Sequence, residues 1–118
     1  MPRHFLLLLA FLAVSCTKKK DSASGPEGYP YPIATTVGMI GDVTREIVGD
    51  KAEVTNIIGE GVDPHVYKPT KGDIDTLQSA SLILYNGVHL EGKMGEVLEN
   101  RTNAGTPVTA VAEGLSNY

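Results

Sequence analysis

His65 sits in a loop built to hold it still. The stretch Gly59-Glu60-Gly61-Val62-Asp63-Pro64-His65-Val66-Tyr67-Lys68-Pro69-Thr70 carries two glycines and two prolines. Glycine permits tight turns and proline fixes the backbone torsion before it. A loop stiffened in this way can present one imidazole nitrogen while the other is bonded to a fixed partner, and Asp63 is the candidate acceptor. Imidazole is a common ligand for zinc and other first-row transition metals. On composition alone, a surface histidine in a polar loop is the simpler reading of His65.

A second loop, Tyr85-Asn86-Gly87-Val88-His89-Leu90-Glu91-Gly92-Lys93-Met94, places a histidine and a carboxylate two residues apart. On an extended segment that spacing would put His89 and Glu91 on one side. Nothing in it makes them converge with His65, and Asn86-Gly87 reads first as a turn. A metallohydrolase using His65, Asp63, His89 and Glu91 would be expected to carry a signature such as His-Glu-x-x-His, which is absent. No Ser/His or Cys/His pair has the surroundings of a nucleophile.

The single cysteine excludes an internal disulfide and any multi-cysteine zinc site. Cys16 ends the layout of an export signal: a basic start at Arg3, an unbroken apolar run Phe5–Val14, then Ser15. The run is far shorter than the ~20 residues a spanning helix needs. Leu12-Ala13-Val14-Ser15-Cys16 resembles the bacterial lipoprotein cleavage box, with Ala13 where a branched aliphatic is usual. Residues 1–15 are therefore expected to be a removed signal peptide, and Cys16 to be the lipidated first residue. Lipid on Cys16 would hold the protein at a membrane surface without spanning it. Lys18, Lys19 and Lys20 would favour anionic lipids beside it. The remainder of residues 16–32, rich in Pro, Gly and Ser, reads as a flexible tether.

The elements that must position the two loops alternate strand and helix. Ile33–Val37 is β-branched and meets Gly38. Met39, Ile40, Val43, Ile47 and Val48 recur at helical spacing, and Gly49 stops them. Ala52–Ile58 alternates as a strand. Thr70 opens a helix as its cap, with Ile74 and Leu77 continuing the period. Leu82–Tyr85 suits a strand buried on both faces. Met94, Val97 and Leu98 mark a third helix, and Val108–Val111 a last strand. Strands separated by helices imply right-handed crossovers, an α/β class, and a parallel four-stranded sheet with flanking helices. Ligands of such sheets bind outside the carboxyl ends of the strands, where both loops emerge.

The chain has 118 residues and a formal net charge of −4, with a pI near 5.2. That length allows one domain. The acidic balance opposes a nucleic-acid partner, which needs a basic face. Two phenylalanines, five tyrosines and no tryptophan leave little for stacking bases.

Three motifs in series carry a specific resemblance. They are Ile33-Ala34-Thr35-Thr36-Val37-Gly38-Met39-Ile40-Gly41-Asp42, then Gly59-x-Gly-Val-Asp63-Pro64-His65-x-Tyr67-Lys68-Pro69, then Ala80-Ser81-Leu82-Ile83-Leu84-Tyr85-Asn86-Gly87-x-His89-Leu90-Glu91-Gly92-Lys93-Met94. In this order they resemble the solute-binding lipoproteins of bacterial ABC transporters for zinc and manganese, the TroA, ZnuA and PsaA type. The resemblance implies that His65 is the first metal ligand, bound at ~2.0–2.1 Å if the ion is zinc. It also implies that His89 stays outside the ligand set, as a cleft-side or structural residue.

By the same resemblance, residues 33–118 form the N-terminal lobe of a two-lobe receptor. The receptor would bind a divalent transition metal, zinc or manganese, as transported ligand and deliver it to an ABC permease. It would be extracytoplasmic, anchored in the periplasm or at the cell surface, monomeric at full length and not an enzyme. A lipid-anchored surface adhesin or interaction protein is the alternative, because the anchor and tether fit it equally. Family members extend further, through a long helix into a second lobe, and take their remaining ligands as one His from a second Asp-Pro-His-like motif, a His or Glu from the far lobe and an Asp near the end. The sequence stops at Tyr118, before those positions, and is expected to be truncated. One imidazole does not close a tetrahedral site, so weak metal binding is expected of this chain alone.

Overall fold

The computed structural model describes residues 28–115. The expected signal peptide, Cys16, the three lysines and most of the tether lie outside the described residues. Strand β1 spans Tyr31–Thr35, β2 Ala52–Asn56, β3 Leu82–Tyr85 and β4 Val108–Ala110. Helix α1 spans Gly38–Val48, α2 Lys71–Ser79 and α3 Gly95–Asn103. Single 3-10 turns follow α1 at Gly49–Lys51 and β4 at Glu113–Leu115. The four strands form one parallel sheet in the order β2-β1-β3-β4, as the alternation of elements requires. No helix among the described residues is long and apolar enough to cross a membrane.

Several strand boundaries move, and β4 ends at Ala110 rather than Val111. β1 begins at Tyr31 rather than Ile33, because Tyr31 and Pro32 pair in register with Ala52 and Glu53 of β2. The last two residues of the expected tether therefore belong to the sheet. β1 and β2 also end earlier than the run of branched residues suggests. Ile57 and Ile58 still donate backbone hydrogen bonds to Thr35 and Thr36, at 2.8 and 2.9 Å, but lie past the last regular pair. Both isoleucines are buried beneath the loop that follows.

α2 starts as its sequence dictates. The Thr70 hydroxyl accepts from the Asp73 backbone N–H, and the Asp73 carboxyl accepts from the Thr70 N–H, a reciprocal capping box. α2 and α3 pack on one face of the sheet. Leu77, Ala80, Met94 and Leu98 close there over Ala34 and Ile83 in a single buried cluster.

α1 lies on the other face, and its contact with the sheet differs from its apolar period. The residues it buries are Gly41 and Thr44. Below them the Thr35 hydroxyl donates to Asn56 Oδ1 across β1 and β2, at 2.6 Å. A β-carbon on residue 41 would stand 1.8 Å from Asn56 Oδ1 and 2.9 Å from Thr35 Oγ1, so glycine sets the helix-to-sheet distance. Thr44 turns its hydroxyl back to the Ile40 carbonyl, at 2.7 Å, and needs no partner in the sheet. Met39, Val43 and Ile47 lie on the flank of α1 beside Leu84 of β3 and remain exposed. β3 is likewise less covered than an apolar run suggests: Ile83 is buried, whereas Leu82, Leu84 and Tyr85 are half-buried.

Replacing Gly41 by Ala should cost about 1–3 kcal/mol of unfolding free energy, because Asn56 is tied to Thr35 and cannot give way freely. Gly95→Ala, where a β-carbon meets nothing within 4 Å, should be neutral or stabilising. Urea titrations of both variants check the contrast.

Candidate metal centre

The chain order places a topological switch between β1 and β3. From β1 the chain moves outward to β2, and from β3 it moves outward the opposite way to β4. The loops after these strands part at their carboxyl ends, where ligands of parallel sheets bind.

A buried carboxyl bridges that switch. Glu91 Oε1 accepts from the Thr36 hydroxyl, at the end of β1, and from the Asn86 N–H, at the end of β3, both at 2.6 Å. Its Oε2 accepts from the Gly87 N–H at 3.1 Å. Glu91 is only 4 % exposed. Its oxygens are occupied by the Thr36 hydroxyl and the Asn86 and Gly87 N–H groups, so it acts as a fastener between the two strand ends. The segment before it is not extended. Gly87, Val88 and His89 are all left-handed, with φ of 81°, 51° and 63°, and Leu90 N–H closes the turn on the Gly87 carbonyl at 3.1 Å. A left-handed valine is costly, by about 1–3 kcal/mol, and the three bonds to Glu91 are what hold the turn. His89 is thereby turned out to solvent. It lines a cavity of about 250 Å³ with Tyr85, Glu91 and Glu113. Burial, then the carboxyls of Glu113 and Glu91, hold the Tyr85 phenol above its ordinary value.

The loop after β2 carries His65. Gly61, at φ 73°, turns the chain. Asp63 Oδ1 then accepts from both the His65 N–H and the His65 Nδ1–H, each at 2.9 Å. These bonds, the ring's first and the backbone's second, hold the Asp63 carboxyl below the ordinary carboxylate range. An ionised carboxylate only accepts, so Nδ1 carries a proton, and in the neutral ring Nε2 then keeps its lone pair, the tautomer that can bind a metal ion. The His65 side chain is 64 % exposed.

Two contacts fix the loop from either side. Tyr67 donates to Asp73 Oδ2 at 2.6 Å, which joins the loop to the α2 capping box. Burial pushes the Asp73 carboxyl up, but bonds from Tyr67 and from the Thr70 N–H and hydroxyl outweigh it, and the group sits below its ordinary value. The same bond, with burial, raises the Tyr67 phenol. On the other side, Gly92 approaches the His65 carbonyl so closely that a β-carbon there would lie 3.3 Å from it. The Glu91 turn is thus a backstop for the His65 backbone. Beside the loop, a cleft of about 400 Å³ opens between Val37, Met39, Asp42, Ile58, Glu60 and Pro64.

Asp63 and His65 are therefore brought into direct contact, while His89 and Glu91 are held by a separate turn. No group of three or more His, Cys, Asp or Glu side chains placed to hold a metal occurs among the described residues. The sequence pattern did not reveal Thr36, Gly92 or Tyr67 as supports. Their partners lie up to 55 positions away, as for Thr36 and Glu91.

The fold is thus a parallel α/β sheet with one carboxylate-bonded imidazole on a loop at its carboxyl edge. Residues 33–118 match the family model described as zinc-uptake complex component A, periplasmic, and the chain belongs to that family. It is 45% identical to the zinc-binding protein TroA of Treponema pallidum over 96 residues, which are 81% of this chain and 30% of that protein. It is 37% identical to the manganese-binding lipoprotein MntA of Bacillus subtilis, over 93% of this chain and 35% of that one. The structure of T. pallidum TroA superposes with a TM-score of 0.66 over 70% of this chain and 30% of TroA. The Mn-bound periplasmic metal binding protein of Candidatus Liberibacter asiaticus is 35% identical, at a TM-score of 0.63 over 71% of this chain and 31% of that one. The chain spans about a third of the length of these relatives.

Removing the Glu91 carboxyl strands three donors. Glu91→Ala should cost about 3 kcal/mol or more, and Glu91→Gln distinctly less, in equilibrium unfolding. His65→Ala should raise the Asp63 carboxyl towards its ordinary value, leaving only the backbone bond to lower it. A carbon-detected NMR titration of Asp63 reads the change.

Proposed function

We propose that this chain is the first lobe of the solute-binding component of an ABC transporter, which captures a divalent transition metal, zinc or manganese, for delivery to a permease. The observation that carries this reading is the Asp63–His65 bond at 2.9 Å, which fixes the ligand tautomer in the loop of a zinc-uptake family member. His65 Nε2 would supply one ligand, and Asp63 would orient the ring and raise its basicity. The cargo is bound and released unchanged, so no covalent step is needed and the chain is not an enzyme. The relatives' names describe metal-binding and transport components, which favours this reading over that of an adhesin.

The remaining ligands would come from a second lobe closing over the ion, with the full-length protein monomeric. Lipid on Cys16 would anchor it outside the cytoplasm, in the periplasm or at the cell surface, in keeping with relatives named as lipoproteins. Residues 16–30 would then be the tether between the anchor and the sheet.

A chimera tests the proposal. This chain is joined to the part of T. pallidum TroA that follows the matched region, and zinc and manganese are titrated by calorimetry. Tight, stoichiometric binding is expected. His65→Ala should abolish it, and Asp63→Asn should weaken it by about 10–100-fold. A folded chimera that binds metal equally well without the His65 imidazole would overturn the proposal.

A further inference from the structure

Asn86-Gly87 is the single Asn-Gly pair in the chain. Such a pair is chemically labile. The backbone nitrogen after an asparagine can attack the side-chain amide carbon and close a five-membered ring, and glycine, lacking a β-carbon, hinders the attack least. The fold forces the pair on this turn. Gly87 has φ of 81°, and a β-carbon there would stand 2.9 Å from the Ala110 β-carbon and 3.3 Å from Glu113 Cγ. Asn86 Nδ2 donates to the Gly87 carbonyl at 2.9 Å and shapes the same turn. The labile bond therefore lies at the end of β3, under the segment that backs the His65 loop.

The surroundings oppose the reaction. Attack requires the Gly87 nitrogen to give up its proton. That N–H is buried and donates to Glu91 Oε2 at 3.1 Å. Negative charge growing on the nitrogen would face the Glu91 carboxylate at hydrogen-bond distance, where little water screens the repulsion. Residue 86 is pinned as well, by its N–H on Glu91 Oε1 at 2.6 Å and by its Nδ2 on the Gly87 carbonyl.

We propose that Asn86 is a site of spontaneous deamidation and that the Glu91 carboxylate sets its rate, holding it low while the turn is intact. In the reaction the Gly87 nitrogen loses its proton to hydroxide and bonds to Asn86 Cγ. The Cγ–Nδ2 bond breaks, and Nδ2 takes up a proton and leaves as ammonia. Water then opens the succinimide at either carbonyl and leaves aspartate or isoaspartate at residue 86. Isoaspartate lengthens the main chain by one carbon, and either product sets a second carboxylate near Glu91. The turn whose Gly92 backs the His65 carbonyl is loosened as a result. The inference rests on this geometry and not on metal binding.

The test is ageing of the full chain in neutral buffer, folded or in urea. Deamidation at residue 86 is read by peptide mass spectrometry after digestion in acid, and isoaspartate by enzymatic methylation. The folded chain should react at least about tenfold more slowly than the unfolded one. Glu91→Gln removes the charge and leaves one oxygen for three donors, so it should speed the folded reaction about tenfold or more. Thr36→Val removes a donor from Oε1 but leaves Oε2 on the Gly87 N–H, and should stay within about twofold of the parent. Circular dichroism checks that each variant is folded. If Glu91→Gln is not, Glu91→Asp, one methylene shorter, withdraws the carboxylate from Gly87 and should accelerate the reaction likewise. Three results overturn the proposal: equal rates in the folded and unfolded chain, no acceleration in a folded Glu91 variant, or equal acceleration by Thr36→Val, which would make general loosening the cause.

Discussion

The fold of this sheet and its loops turns on the carboxyl of Glu91. Parallel strands leave their carboxyl ends unconnected to one another, and at a switch point the loops above them diverge. Glu91 fills that gap with three hydrogen bonds, to the end of β1, the end of β3 and the turn after β3. Buried polar groups must be satisfied, and here a single side chain satisfies the Thr36 hydroxyl and two backbone N–H groups at once. A strained turn through Val88 and His89 is stable only because the carboxyl holds both its start and its neighbour strand.

That fastening reaches His65 through shape. Gly92, directly after Glu91, lies against the His65 carbonyl, where a β-carbon would be a tight fit at 3.3 Å. On the opposite side Tyr67 ties the loop to the first turn of α2. The histidine thus stands on an exposed loop without depending on that loop alone. Its backbone is braced by two elements and its ring by Asp63. Pre-organisation of this kind would lower the ordering cost of any ligand that the ring takes up. Among the described residues the loop offers a single braced imidazole.

Much of this was legible from residue types. Branched runs ending at glycine gave the strands, Thr70 and Asp73 gave the start of α2, and the Asp-Pro-His loop gave the candidate ligand with its acceptor. The errors have local causes. Pro32 looks like tether but stands near the start of β1, where its missing N–H is tolerated. The stripe Met39, Val43, Ile47 has the period of a packed helix face, yet the close contact is made by Gly41 and Thr44, because a hydrogen-bonded Thr35–Asn56 pair beneath leaves space only for glycine. Leu82–Tyr85 has the composition of a strand buried twice over, yet only Ile83 is fully buried and Leu84 borders an open groove beside α1.

The sequence by itself determined the alternation of strands and helices, the parallel sheet and the chemistry of the His65 loop, since each follows from short-range period, turn residues and spacing. Only the tertiary structure decided the strand order, the role of Glu91 and the bracing of His65 by Gly92. These depend on residues far apart in the chain meeting at one sheet edge. A pattern within a window of ten or fifteen residues carries no information about which distant hydroxyl, amide or carbonyl a side chain will meet.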